Sequence, residues 1–238
     1  MTFIRLIPVF ALAVMLLAGP RAAVAQAEGK LVVVELFTSQ GCMACPPADE
    51  FAAELDARGT VLPLSLHVDY WDYLGWRDVF ASPAHTARQK AYAYAHGERS
   101  IYTPQMVVHG VDAAVGHDKA RIEESIARAA NSERVVRLTA VAEGDAIRVR
   151  IEPLQPGLRG VVHVVRFAPE REQVIRAGEN QGRTLTYTNV VLDWMTIAQW
   201  MGEPAEFQMP LGPRAQDTAV ILQSSDLGPV LAAARVSR

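Results

Sequence analysis

Cys42 and Cys45 are the only two cysteines in a chain of 238 residues, and their placement limits its chemistry and fold more than any other feature. The pair follows an apolar run, Leu31–Phe37, and precedes a stretch with helical signals, Pro46–Arg58. A strand that ends in two cysteines at the mouth of a helix is the layout of thiol–disulfide chemistry. Two intervening residues let both sulfurs meet in a small ring at the helix start. Cys42 would face solvent and the first-turn amides, which together with the helix dipole lower its thiol pKa. Asp49 and Glu50 oppose a nearby thiolate, so the expected depression is moderate. Cys42 is therefore the candidate nucleophile, and Cys45, one turn in and more buried, the resolving thiol. Pro46 and Pro47 suit helix entry, having no amide hydrogen to lose there.

Two other readings of the pair stay open. An inert bridge closing so short a loop restricts the unfolded chain little, so stabilisation is a weak reason for one. A structural zinc site wants four ligands and the pair supplies two.

The first residues carry an address rather than a fold. Arg5 is followed by an apolar run, Ile7–Ala18, and by Ala23-Val24-Ala25, a small-residue cleavage pattern. Residues 1–25 are read as a secretory signal peptide, which makes the mature protein exported, periplasmic or secreted, with no membrane span after cleavage. Export places the cysteines where disulfides form and exchange. Of the 23 basic residues, Arg5 and Arg21 leave with the signal, so 21 face 26 acidic ones and the net charge is −5. A mildly acidic chain without a basic run is a poor nucleic-acid partner.

Residues 29–131 alternate strand and helix signals. Strands are expected at Lys30–Thr38, Thr60–Val68, Gln105–His109 and Ala113–Gly116. Helices are expected from Pro46, after the N-cap Ser82 and after Asp118. From 135 to 238 the texture is β-rich, with a hairpin at Val135–Val141 and Ala146–Ile151. Further strands are expected at Gly160–Phe167, Leu185–Val191 and Thr218–Gln223. Asp193–Met201 fits either strand or helix. The expected fold class is α/β, with a second, β-rich C-terminal module.

The order of parts resembles the thioredoxin fold over Gly29–Asn131. The segments Val34–Cys42, Cys45–Asp49, His67–Trp76, Tyr102–Gln105 and Gly178–Leu185 more closely resemble the exported domain-of-unknown-function 1223 family. These resemblances imply a thioredoxin-like domain with an appended β-rich C-terminal module. They also imply that Thr103-Pro104 forms a substrate-binding wall opposite the cysteines, with a cis-proline. Met43-Ala44 replaces the Gly-Pro usual between thioredoxin cysteines, which leaves oxidant and reductant both open. Glu35 stands where thioredoxins carry a buried acid for proton transfer, but one residue farther from the first cysteine.

His67 closes the second strand, at a sheet edge where open α/β folds place their sites. It is a second candidate for proton transfer. With Cys42 and Cys45 it is also a candidate copper(I) ligand, in an alternative reading as a metallochaperone. The preferred reading is a thiol–disulfide oxidoreductase that acts on protein or small-molecule thiols and disulfides and uses no cofactor beyond its own cysteines. A non-catalytic binding module on this scaffold is a third. His109 and His117 are expected at the surface. Tyr70, Trp71, Tyr73 and Trp76 are expected to pack a long loop, and Gly178–Arg183 to form a turn.

Overall fold

The computed structural model describes residues 30–236; the signal-peptide reading of residues 1–25 lies outside them. The apolar run after Lys30 forms β1 (Val32–Thr38), buried along its whole length. Alternation along the strand divides it between two faces. Val32, Val34 and Leu36 pack with Phe51, Ala52 and Leu55 of α1 (Pro46–Asp56). Val33 and Phe37 face the opposite side, toward Tyr92 of α2 (Pro83–Ala95). Complete burial of side chains such as Phe51 and Leu55 stabilises by about 2 kcal/mol each, which fixes α1 on this face.

β2 (Val61–His67) runs parallel to β1, and β3 (Gln105–Val108) runs antiparallel on its other side. β4 (Asp112–Val115) forms the edge, and α3 (Lys119–Asn131) packs Ile122 and Ile126 beside α1. Asp118 caps α3 by accepting from the Arg121 amide at 3.2 Å. Ser82 caps α2 by accepting from the Ala84 amide, with Pro83 in the first turn.

The second half continues this sheet. β5 (Val136–Glu143) and β6 (Ala146–Pro153) form the expected hairpin. β7 (Gly160–Val174) and β8 (Thr184–Trp200) form a much longer one, followed by β9 (Ala205–Pro210), β10 (Asp217–Ser224) and β11 (Val230–Arg235). The order β11-β10-β7-β8-β2-β1-β3-β4 makes one mixed eight-stranded sheet, and β5-β6-β9 makes a second. The small sheet covers Val162, Val164, Val220 and Leu222 of the large one.

The expected thioredoxin-like α/β domain with an appended β-rich C-terminal module is therefore corrected. The described residues are 43% strand and 21% helix, and strands from both halves lie in one sheet. The physical reason is the unsatisfied flank of β2. β8 lies along it in parallel, bridged at Ser65 and Val190, and Ser65 Oγ donates to the Thr188 carbonyl at 2.7 Å. Asn189 Nδ2 donates to the Pro63 carbonyl at 2.9 Å and to Asp56 Oδ1 at 2.7 Å, tying β8 to both β2 and α1. Asp193–Met201 resolves as strand up to Trp200, within β8. Among the described residues no helix is long and apolar enough to cross a membrane.

Candidate functional site

Beyond Thr38 the chain turns through Ser39–Gly41 and delivers Cys42 to the N-terminus of α1. Cys42 and Cys45 form a disulfide with Cα atoms 5.4 Å apart. Cys45 is the N-cap, and its carbonyl accepts from the amides of Ala48 and Asp49 at 2.8 and 3.1 Å. Pro46 and Pro47 contribute no N–H, so two of the helix's free first-turn donors are missing. Both cysteines are buried, Cys42 to 1% exposure and Cys45 to 0%, whereas Met43 between them is 65% exposed. Cys42 was expected to face solvent; the bridge is instead enclosed.

Three segments enclose it. Trp71 lies against Gly41, where an added Cβ would stand 3.2 Å from the Trp71 Cβ. The Trp71 indole N–H donates to Thr103 Oγ1 at 2.7 Å, which joins the loop after β2 to the Thr103-Pro104 segment. That peptide bond is cis. Pro104 is buried, and a Cβ on Gly116 would stand 2.8 Å from Pro104 Cβ and 2.9 Å from Ala48 Cβ. A side chain at Gly116 would thus separate Pro104 from the first turn of α1. The third segment is the tip of the β7–β8 hairpin. Asn180 Nδ2 donates to the carbonyls of Gln40 and Cys42 at 2.9 and 3.0 Å, and the Met43 amide donates to Glu179 Oε2 at 3.2 Å.

Glu35 is not brought to the cysteines. As an odd-numbered residue of β1 it shares the Val33–Phe37 face, away from α1. Its carboxylate accepts from Arg88 Nε at 2.5 Å, Arg88 Nη2 at 2.7 Å and the Tyr92 hydroxyl at 2.6 Å. Burial works against the Arg88 charge, but Glu35 and Tyr92 together more than offset it and raise the guanidinium pKa. The Glu35 carboxylate is thus committed to a buried ion pair with Arg88 and a hydrogen bond from Tyr92.

His67 closes β2 opposite Thr38. Its Nδ1 bonds Asp78 Oδ2 at 2.7 Å, and the same carboxylate oxygen accepts from the Gln40 amide at 2.8 Å. The ring stands edge-on to Tyr187 and Phe80, with centroids 4.6 and 5.3 Å away. His67 thus supports the turn that carries Cys42 from beneath. Among the described residues no group of three or more His, Cys, Asp or Glu side chains is placed to hold a metal ion. His109, expected at the surface, is buried to 4% exposure, and its Nδ1 accepts from the Val33 amide at 3.3 Å. Tyr73 is 81% exposed, whereas Trp71 and Trp76 pack against buried clusters.

Sequence reasoning missed Asp49 as a buried group. It was read as a favourable charge at the start of α1, yet it is 5% exposed. Thr38 Oγ1 donates to its Oδ1 at 2.8 Å, and Oδ2 has no protein partner. Burial raises its pKa well above the usual carboxyl range against that hydrogen bond, and the Asp78 and Glu50 charges raise it further. The available signal was its position four residues after Cys45, on the same helix face. Gln40 Nε2, His67 Nε2 and the Tyr187 hydroxyl are likewise buried without a protein partner.

Residues 33–223 match the family described as a protein of unknown function, DUF1223. The chain belongs to the DUF1223 family. A crystal structure of protein AGR_C_4864 from Agrobacterium tumefaciens is similar to this DUF1223 protein at 33% identity and a TM-score of 0.75. That match covers 86% of this chain and 92% of the other. HBP35 of Porphyromonas gingivalis is similar in fold at 15% identity and a TM-score of 0.55, over 87% of this chain and 74% of its own. A search of curated proteins gives no match.

Proposed function

We propose that this DUF1223 protein is an exported thiol–disulfide oxidoreductase that acts on protein or small-molecule thiols and disulfides. The observation that carries the reading is the Cys42–Cys45 bridge at the N-terminus of α1. A bridge across so short a loop adds little stability, which favours cycling over stapling.

In the reducing direction the Cys42 thiolate attacks one sulfur of a substrate disulfide. The substrate S–S bond breaks, and the first substrate thiolate departs and takes a proton from solvent. Cys45 then yields its proton to the Asp49 carboxylate and attacks the Cys42 sulfur. The mixed disulfide breaks, and the second substrate thiolate leaves and is protonated. The substrate gains two electrons, the protein closes its bridge, and an external dithiol reductant restores it. Asp49 suits its part because it is buried one helical turn beyond Cys45, and burial raises its pKa toward that of a thiol. A base with that property matches a thiol donor better than an ordinary carboxylate does. Thr103 and Pro104 line the substrate side, while Glu35 and His67 act as structural supports.

The copper reading has less support, because His67 commits Nδ1 to Asp78 and joins no metal-holding cluster. The deciding experiment is insulin reduction with dithiothreitol as electron source, comparing the mature protein with Cys42→Ser. Turnover that vanishes in the variant supports the reading, and equal rates remove it.

A further inference from the structure

The β7–β8 hairpin extends well beyond its neighbours. β10 pairs with β7 only as far as Phe167, and β2 bridges β8 only at Val190. From Glu170 to Val174 and from Thr184 to Thr188 the two strands pair with each other alone. This ribbon packs Ile175, Leu185 and Tyr187 against Trp76 and Phe80, and its tip reaches the cysteines.

The tip is shaped to make that contact. The Ile175 amide donates to the Arg183 carbonyl and the Gly182 amide to the Ile175 carbonyl, both at 2.9 Å, closing the turn. Gly178, at a φ of 77°, lies against Trp76, where a Cβ would stand 3.1 Å from the Trp76 Cβ. Arg183 Nη1 donates to Asn180 Oδ1 at 2.9 Å, which orients the amide so that its Nδ2 points at the Gln40 and Cys42 carbonyls. Asn180 is 1% exposed.

Disulfide exchange needs a thiolate to approach along the line of the S–S bond. With Cys42 at 1% and Cys45 at 0% exposure, that approach is closed. We infer that the Gly178–Arg183 tip is a releasable cover and that Asn180 is its latch, a positioning residue governing access to Cys42. The inference rests on the proposed exchange chemistry for its biological meaning, although access itself is independent of turnover. Ribbons held by few contacts open locally at modest cost. Here the polar contacts are two hydrogen bonds from Asn180 and one to Glu179.

The test is the rate at which the oxidised mature protein is reduced, followed by thiol alkylation, with dithiothreitol and with a reduced protein dithiol. Asn180→Ala should accelerate reduction about tenfold with dithiothreitol and by more with the protein dithiol, because a larger reductant needs a wider opening. Arg183→Ala, an exposed change that only frees the Asn180 amide, should act in the same direction by a few-fold. Gln181→Ala at the same tip should change nothing. Equal rates for wild type and a folded Asn180→Ala protein, or an acceleration that does not depend on reductant size, would overturn the latch. If Asn180→Ala does not fold, Arg183→Ala decides by the same criteria. If insulin turnover is absent from wild type while Asn180→Ala still accelerates reduction, the cover stands and the oxidoreductase reading falls.

Discussion

Thr38, the last residue of β1, donates its hydroxyl to Asp49 Oδ1 at 2.8 Å and leaves the second carboxyl oxygen without a protein partner. A buried carboxylate with one hydrogen bond is costly, because desolvation of the charged form is poorly repaid. Asp49→Asn keeps the bonded oxygen and removes the charge. It should stabilise the oxidised protein by about 1 kcal/mol in urea unfolding near neutral pH. The same change should slow resolution of the mixed disulfide by about tenfold to a hundredfold if Asp49 accepts the Cys45 proton. Trapping the mixed disulfide in the variant would show where the cycle stalls. A variant that is both less stable and fully active would remove the assigned role.

Glu35 and Arg88 make a different argument from an equally buried acid. Glu35→Gln leaves the guanidinium over the Trp194 ring, 3.8 Å from its centroid, beside neutral partners. Removing one member of a buried pair costs about 3 kcal/mol, mostly because the other charge is stranded. Glu35→Gln/Arg88→Met should recover part of that loss. Both proteins should retain the disulfide-reduction rate of wild type at temperatures where they are folded. A large fall in that rate with little change in stability would return Glu35 to the catalytic residues.

These two acids also show where the sequence was readable. The cysteine pair and the helix after it were legible because their signals are local, residue type and proline, whereas the cis bond at Thr103-Pro104 was implied by the resemblance. The spans of β1, β2 and α2 were close for the same reason. Glu35 was chosen by residue type and neighbourhood, although its odd position beside Val33 and Phe37 already set it on the far face. Asp49 carried a helix-start signal that masked its depth, because burial depends on β8 packing against α1. The union of the two halves was not legible. The strand pairing that links them is a bridge between Ser65 and Val190, and no local pattern reports a pairing across that much chain. Asn180 was hidden likewise, inside a turn whose Gly and Asn content explains itself without a distant partner. β11 escaped because its alanines, Ala232–Ala234, carry little strand preference.

Glu179 should tune the nucleophile. Its carboxylate accepts from the Met43 amide, a donor that would otherwise help stabilise a Cys42 thiolate. Pro46 and Pro47 have already removed two such donors. Glu179→Gln should therefore lower the thiol pKa of Cys42 in the reduced protein, observed as a few-fold faster alkylation by iodoacetamide at a fixed mildly acidic pH. Measuring the full pH profile separates this from a change in access, which would raise the plateau and leave the midpoint in place. A midpoint that stays fixed or rises would contradict the electrostatic account.

Two buried histidines should make the protein acid-sensitive. Burial lowers the pKa of His109 to about 4, and the Lys30 charge adds to the effect. Geometry gives the same sense: His109 Nδ1 accepts from the Val33 amide, so a proton there would set donor against donor. Burial and then Arg88 lower His163 to about 4, with Glu35 opposing. In the unfolded chain both titrate near 6.5. Above that value neither state binds the proton, and stability is at its full level. As pH falls from about 6.5 toward 4 the unfolded chain gains protons that the folded one refuses, so stability declines. The loss approaches about 3 kcal/mol per histidine by linkage. Asp49 works the other way, since its raised folded pKa favours the folded state as it protonates, whereas His85, also lowered by burial, adds to the decline. Urea midpoints between pH 7.5 and 4.5 should fall, and His109→Gln should flatten the slope by offering the Val33 amide an acceptor that cannot titrate. A wild-type midpoint that holds constant over this range, or a His109→Gln slope as steep as wild type, would contradict the assignment.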